Sequence, residues 1–76
     1  MAVTVYSTPQ CTFCKQVKKY FKERRVPFRD YDVSRDDRKA DEMFRKSGQM
    51  GVPVLDIHGK VLVGFDTDKI EKALRR

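Results

Sequence analysis

Two cysteines separated by two residues, Cys11 and Cys14, lie where a short apolar segment gives way to a helical pattern. They are the only cysteines in the 76-residue chain. Thiol–disulfide exchange needs an attacking thiolate and a second thiol close enough to resolve the mixed disulfide. Because two intervening residues on the first turn of a helix bring both sulfurs within reach, the pattern predicts a redox-active pair on a strand–turn–helix unit.

The position of each cysteine on the predicted helix assigns its role. The unpaired backbone N–H groups at a helix start carry partial positive charge, which stabilises a thiolate. We therefore predict that Cys11, at the helix start, is the nucleophile. Cys14 lies one turn deeper and is the predicted resolving thiol.

A metal site is the main alternative for the C-x-x-C. Structural zinc takes four ligands, and this chain offers only its two cysteines and His58. His58 with Gly59 is predicted to form a hairpin turn far from the motif, which argues against a metal site within one chain. Two chains would still be able to share zinc or an iron–sulfur cluster through their cysteines. Otherwise we expect no metal and no tightly bound cofactor.

The net charge of +6 is concentrated beside the cysteines. Residues 11–25 contain six lysines and arginines against one glutamate. Lys15 is a candidate for stabilising the thiolate or attracting acidic partners. The remaining stripe of Lys18, Lys19 and Lys22 is interpreted as the solvated face of an amphipathic helix. Because no exposed aromatic platform accompanies these charges, nucleic acid is not expected as a partner.

Length and hydropathy predict one small domain spanning residues 1–76. No apolar run is long enough to cross a membrane, and the N-terminus lacks the features of a signal peptide. We therefore expect a cytoplasmic protein with no membrane partner, and no feature suggests a dimer. A disulfide in so short a loop would constrain the unfolded chain little, which favours a catalytic role for the pair.

Hydrophobic periodicity and turn signals predict the element order βαβαββα. Strands are predicted over residues 2–7, 28–33, 52–57 and 60–63, and helices over 12–24, from the segment after Ser34 to Ser47, and after Asp66. The first strand is apolar on both sides and should be central, whereas Asp30 and Asp32 place the second strand at an edge. The order predicts an α/β fold: a four-stranded mixed sheet flanked by three helices.

Capping residues define the last two helices. Ser34 ahead of two aspartates resembles a helix start, and Gly48 suits the position after a helix end. Asp66 is the predicted N-cap of the last helix, with Phe65 and Ile70 spaced as a hydrophobic staple. The core-facing positions are predicted to be Ala40, Met43, Phe44, Ser47, Ile70, Ala73 and Leu74.

The chain resembles the glutaredoxins along nearly its whole length. The matching segments are the strand Val3–Tyr6, the C-x-x-C, Met43 to Gly48, Gly51-Val52-Pro53 and Gly64-Phe65-Asp66. The resemblance implies the minimal thioredoxin fold and thiol–disulfide oxidoreductase activity in electron transfer and cell redox homeostasis. It also implies a cis bond before Pro53, where Val52 offers main-chain hydrogen bonds to an extended substrate.

The resemblance further implies a substrate groove beside the cysteines, which would receive glutathione or a protein disulfide. Its residues would be Thr8, Phe13, Lys15, Val52, Pro53, Gly64, Phe65 and Asp66. Thr8 stands where many glutaredoxins have a lysine that contacts the glycyl carboxylate of glutathione. Phe65 replaces the second glycine of a Gly-Gly pair and would occupy space near the γ-glutamyl end. For Met50 and Phe65, packing in the core is the alternative to a docking surface with Phe13 and Val52.

The pair Gly64-Phe65 is similar to the NrdH-type redoxins. These proteins donate electrons to ribonucleotide reductase and are recharged by thioredoxin reductase. The resemblance therefore implies two electron sources, glutathione as a co-substrate or thioredoxin reductase, with disulfide-containing proteins as substrates.

Overall fold

The computed structural model describes residues 3–75. Its elements are β1 (Val3–Ser7), α1 (Thr12–Glu23), β2 (Arg29–Asp32), α2 (Asp37–Ser47), β3 (Val54–Ile57), β4 (Lys60–Val63) and α3 (Thr67–Leu74). The predicted order βαβαββα is confirmed. Ala2, predicted to open the first strand, lies outside the described residues. Within residues 3–75, no helix has the length and apolar character needed to cross a membrane.

Several elements are shorter than predicted, for local reasons. The third strand begins after Pro53, since proline cannot donate a hydrogen bond to the ladder. The first helix ends at Glu23, and Arg25 then turns the chain with a left-handed φ of 58°. Phe28 packs against the larger core instead of starting β2.

One mixed sheet has the strand order β2-β1-β3-β4. β1 pairs parallel with β2 and antiparallel with β3, and β4 pairs antiparallel with β3. The central position predicted for β1 and the edge position predicted for β2 are both confirmed. His58 and Gly59 form the predicted hairpin turn, both with positive φ, which matches the right-handed twist of the flanking strands.

Side-chain alternation along β1 and β3 divides the apolar residues into two cores. The larger core holds Val3, Val5, Val17, Phe21, Leu55, Ile57, Ile70 and Ala73, from both strands and from α1 and α3. The smaller core holds Tyr6, Met43 and Val54. Helices α1 and α3 therefore cover one face of the sheet and α2 covers the other, which confirms the predicted thioredoxin-like fold.

The predicted helix caps are confirmed at two positions and wrong at one. Gly48 ends α2 with a left-handed φ of 77°, and Asp66 caps α3 by accepting hydrogen bonds from two backbone N–H groups. Asp36, not Ser34, is the N-cap of α2. The hydroxyl and backbone N–H of Ser34 instead donate to Asp32 Oδ1, at 2.5 Å and 2.9 Å, in the turn that follows β2.

The core face predicted for the second helix is wrong at Phe44, whereas the packing predicted for Phe65 and Ile70 at the start of the third helix is confirmed. Met43 is buried, but Phe44 is 49% exposed, because the small core on this face admits one large side chain of α2. Phe65 packs against the larger core that contains Ile70, as the predicted staple requires. Its ring lies 5.9 Å from that of Tyr20, edge to face.

A polar cluster joins α2 to the sheet beside the smaller core. We call it the Lys46 cluster; it comprises Tyr6, Glu42, Lys46 and Asp56. Lys46 Nζ lies 2.6 Å from Asp56 Oδ2 and 3.8 Å from Glu42 Oε2, and the Tyr6 hydroxyl donates to Glu42. These contacts anchor α2 on the face of the sheet opposite α1.

Candidate active site

Cys11 is the N-cap residue of α1. Its backbone is extended, and its Sγ accepts a hydrogen bond from the Cys14 backbone N–H at 3.1 Å. The Cys11 N–H in turn donates to the carbonyl of Thr8 at 3.3 Å, and this bond closes the turn between β1 and α1. The first turn of α1 contains no acidic residue. A thiolate on Cys11 would therefore meet a backbone donor and the uncompensated positive end of the helix.

Cys14 occupies a different environment, although it is only one turn away. It is 0% exposed, whereas Cys11 is half-buried. Burial, and after it the hydrogen bond with Cys11, raises the pKa of Cys14 to about 12. A backbone hydrogen bond from Thr8 and the charge of Lys18 act in the opposite direction. The pair thus consists of a half-buried cysteine and a buried, protonated one, and both thiols are free.

The loop before β3 contains the cis peptide bond at Val52-Pro53 that the resemblance implies. Pro53 is buried, and its carbonyl accepts a hydrogen bond from the Gly64 N–H at 2.9 Å. This bond holds the end of β4 against the cis-proline loop. Val52, Pro53 and Gly64 are therefore brought together, and their role in a substrate groove stays a prediction.

A model of the glutaredoxin family matches residues 3–62. The chain belongs to the glutaredoxin family. Over 97% of its length, this glutaredoxin is 39% identical to an uncharacterised glutaredoxin-like 8.6 kDa protein in the rubredoxin operon of Clostridium pasteurianum, of which it covers 99%.

Solved structures agree with this assignment. The Escherichia coli NrdH-redoxin, a glutaredoxin-like protein with a thioredoxin-like activity profile, has a TM-score of 0.84 and 28% identity, with 100% of this chain and 97% of that chain covered. A glutaredoxin from Archaeoglobus fulgidus has a TM-score of 0.88 and 26% identity, with 100% and 89% covered. The resemblance predicted from the sequence is confirmed.

The remaining predicted groove residues differ in how free they are to meet a substrate. Phe13 is 59% exposed and Lys15 is exposed, so both are accessible beside the cysteines. Met50, which follows α2, is also 59% exposed and is not a core residue. Phe65 is half-buried against the larger core, and the Asp66 carboxylate already caps α3. The substrate roles of these residues stay predictions.

Lys18 lies on open surface with Lys19 and Lys22, as the predicted stripe requires, but it is not free of protein contacts. Its Nζ lies 2.9 Å from Asp30 Oδ2 and 3.5 Å from Ser7 Oγ. The Ser7 hydroxyl donates to Asp30 Oδ1 at 2.7 Å, and Ser7 is only 2% exposed. We call Ser7, Lys18 and Asp30 the Lys18 cluster. The four-residue spacing from Cys14 to Lys18 was a signal for it, but only the pairing of β1 with β2 brings Asp30 to the same place.

A second feature that the sequence did not predict is a groove beside the loop before Cys11. The groove of about 500 Å³ is lined by Thr8, Pro9, Gln10, Ser34 and Arg35. The Arg35 side chain is 85% exposed, and its one ion pair within residues 3–75 is a distant contact of 3.8 Å to Asp32. Arg35 therefore supplies a cation beside Thr8. No sequence pattern pointed to it, because the contact depends on how the β2–α2 loop returns to the cysteine loop.

His58 plays no part in this site. It occupies the turn between β3 and β4 with a φ of 54°, as predicted. Within the part of the chain that the structure describes, no three His, Cys, Asp or Glu side chains are grouped so that they could hold a metal ion.

Proposed function

We propose that this glutaredoxin is a cytoplasmic dithiol–disulfide oxidoreductase that reduces protein disulfides or glutathione mixed disulfides. The observation that carries the proposal is the asymmetry of the cysteine pair. Cys11 is partly exposed and accepts the backbone hydrogen bond of a helix start, whereas Cys14 is buried and protonated. An accessible sulfur suits attack on an external disulfide, and a buried one suits the intramolecular step.

The reaction has two exchange steps. The Cys11 thiolate attacks one substrate sulfur, the substrate S–S bond breaks, and the other sulfur leaves as a thiolate that takes up a proton. Cys14 then loses its proton and attacks Sγ of Cys11, which expels the second substrate sulfur. Two electrons pass from the dithiol to the substrate, and a Cys11–Cys14 disulfide remains.

The groove residues would position the substrate for this attack. The backbone at Val52, beside the cis-proline, offers main-chain hydrogen bonds to an extended chain next to the substrate cysteine. Phe13 and Met50 are large apolar side chains at 59% exposure, and they suit contact with the flanks of a protein disulfide. Lys15 adds positive charge beside Cys14, which favours acidic substrates.

Two electron sources fit different parts of the groove. Arg35 would pair with a carboxylate of glutathione where Thr8 supplies no charge. Phe65, in contrast, replaces a glycine, and the likeness to the Escherichia coli NrdH-redoxin favours recharging by thioredoxin reductase. The Phe65 ring packs against Tyr20 and the larger core. The ring therefore blocks the space next to a bound substrate less than a fully exposed ring would.

The first experiment follows NADPH consumption by the oxidised protein in two separate coupled assays. One supplies glutathione with glutathione reductase, and the other supplies thioredoxin reductase. Turnover in either assay that depends on Cys11 supports the proposal and identifies the electron source. No turnover in either, together with stoichiometric zinc or visible colour in protein purified under reducing conditions, would contradict it in favour of a metal shared between two chains.

A further inference from the structure

The Lys18 cluster lies one helical turn from the buried thiol, on the side of α1 that faces Asp30 of β2. Lys18 follows Cys14 by one helical turn, so the two side chains project from the same side of α1. Ser7 continues the side of β1 that carries Val5 and is itself almost fully buried. Its hydroxyl and the Asp30 carboxylate hold the ammonium at 3.5 Å and 2.9 Å. The positive charge is thereby held at the junction of α1 with β1 and β2, although the Lys18 side chain stays 24% exposed.

Fold stability gives only a small reason for this arrangement. A partly exposed lysine–aspartate pair contributes about 0–1 kcal/mol to stability, and ordering the lysine side chain costs entropy. An apolar residue at position 7 would continue the pattern of Val3 and Val5 and would need no hydrogen-bond partner. The feature that distinguishes this place from the rest of the sheet is the neighbouring thiol of Cys14.

We propose that Lys18 is a positioning residue for the resolving step: its ammonium, held by Asp30 and Ser7, favours the Cys14 thiolate as it attacks the mixed disulfide. The inference rests on the proposed function. In this step the Cys14 thiol gives its proton to solvent, and its Sγ bonds to Sγ of Cys11. The bond from Cys11 to the substrate sulfur breaks, and the substrate leaves as a thiolate that takes up a proton. Lys18 keeps its own proton throughout.

The groups around Cys14 support this role. Burial and Cys11 raise the pKa of Cys14, whereas Lys18 lowers it. The opposing charge is Asp30 on β2, and both of its carboxylate oxygens are occupied, one by Lys18 and the other by the Ser7 hydroxyl. From the loop after β1, the Thr8 backbone also lowers the pKa of Cys14. Lys18 thus offsets part of the cost of ionising a buried thiol.

The test separates the two exchange steps with an aromatic disulfide, dithiobis-nitrobenzoate, which releases a coloured thiolate at each step. In stopped flow, the first release reports attack by Cys11 and the second reports resolution by Cys14. Lys18→Gln should slow the second release by roughly three- to tenfold at neutral pH, the size expected for losing one partly exposed charge. The first release should keep its rate, and an unchanged circular dichroism spectrum shows that the variant is folded.

Two variants control the charge and the helix. Lys18→Arg keeps the charge and should restore the second release, and Lys19→Gln removes an exposed lysine from the same helix and should change neither release. The pH profile of the second release should move to higher pH in Lys18→Gln alone. Equal second rates in Lys18→Gln and Lys19→Gln, or equal slowing of both releases in Lys18→Gln, would overturn the inference. Absence of any second release in the unmodified protein would instead contradict the proposed function.

Discussion

The Lys18 cluster and the Lys46 cluster have similar chemistry and opposite places in the molecule. Each joins a lysine to carboxylate and hydroxyl groups where a helix meets the sheet, with ammonium–carboxylate distances of 2.9 Å and 2.6 Å. The first lies on the α1 face of the sheet, one helical turn from Cys14, and the second lies between α2 and the opposite face. A lysine–carboxylate pair therefore does not by itself indicate a catalytic role. Such a role also needs a reactive group, such as a thiol, near the lysine.

The electrostatic consequences of the two clusters differ accordingly. In the Lys46 cluster the partners act on one another: the hydrogen bond to Asp56 raises the pKa of Lys46, and the hydrogen bond from Tyr6 lowers the pKa of Glu42. Both shifts favour the charged pair, which is typical of a structural contact. The Lys18 cluster instead acts on a third group, because Lys18 lowers the pKa of Cys14.

The largest expected effects come from the cysteines, and they test whether the chemistry is confined to the α1 face. Cys11→Ser should abolish all disulfide reductase activity, because the nucleophilic sulfur is lost. Cys14→Ser should abolish dithiol reduction of proteins while exchange with glutathione mixed disulfides persists. Protein-disulfide reduction and deglutathionylation, assayed side by side, check both outcomes. Full activity in Cys11→Ser would show that the two roles are wrongly assigned.

The second prediction concerns alkaline pH. Folding raises the pKa of the Cys14 thiol to about 12, whereas the pKa of a thiol in the unfolded chain is about 8.5. This contribution to stability is fully present below about pH 8.5. Above it, the free energy of unfolding of the reduced protein should fall by up to about 1.4 kcal/mol per pH unit. Urea unfolding at several pH values should show a smaller fall in Cys14→Ser.

The Lys46 cluster provides the control for that measurement. The folded-state pKa of Lys46 is raised above its ordinary value, so its contribution is present below that ordinary value and is lost only at more alkaline pH. Lys46→Met should therefore leave unchanged the fall in the free energy of unfolding that begins at about pH 8.5. If Cys14→Ser and Lys46→Met reduced this fall in the free energy of unfolding equally, the Cys14 thiol would not be the cause of the fall.

A third prediction separates the two clusters by exchanging one lysine at a time. Lys46→Met should lower the free energy of unfolding by about 1 kcal/mol and leave turnover unchanged, because it removes a pair that joins α2 to the sheet. Lys18→Met should change stability less and slow the resolving step. Urea unfolding and single-turnover kinetics on both variants test this. Slower turnover in Lys46→Met would remove the distinction between the clusters.

The smallest expected effect lies in the groove beside Thr8. Arg35→Gln should raise KM for a glutathione mixed disulfide by about threefold with kcat unchanged, the size expected for losing one exposed charge pair. Arg45→Gln, an exposed arginine on α2 outside this groove, is the matched control. Equal KM values in the two variants would show that glutathione does not use Arg35.

Local patterns in the sequence predicted most of the fold. Alternation in β1 and β3, the turn at His58-Gly59 and the caps Gly48 and Asp66 depend on neighbouring residues, so they were readable without tertiary contacts. Ser34 was misassigned because a serine and an aspartate two residues later can both cap a helix. Asp36 is the cap because the hydroxyl and N–H of Ser34 both donate hydrogen bonds to Asp32.

The sequence by itself determined the cysteine pair and the helix that begins at it, because the C-x-x-C spacing and the helical pattern that follows are both local. Only the tertiary structure decided what surrounds that pair. Sheet register places Asp30 of β2 near Ser7 of β1, and the packing of α1 on the sheet brings Lys18 into contact with both. The physical reason is that ionic and hydrogen-bonded contacts join residues far apart in the chain, and no local period encodes such a pairing.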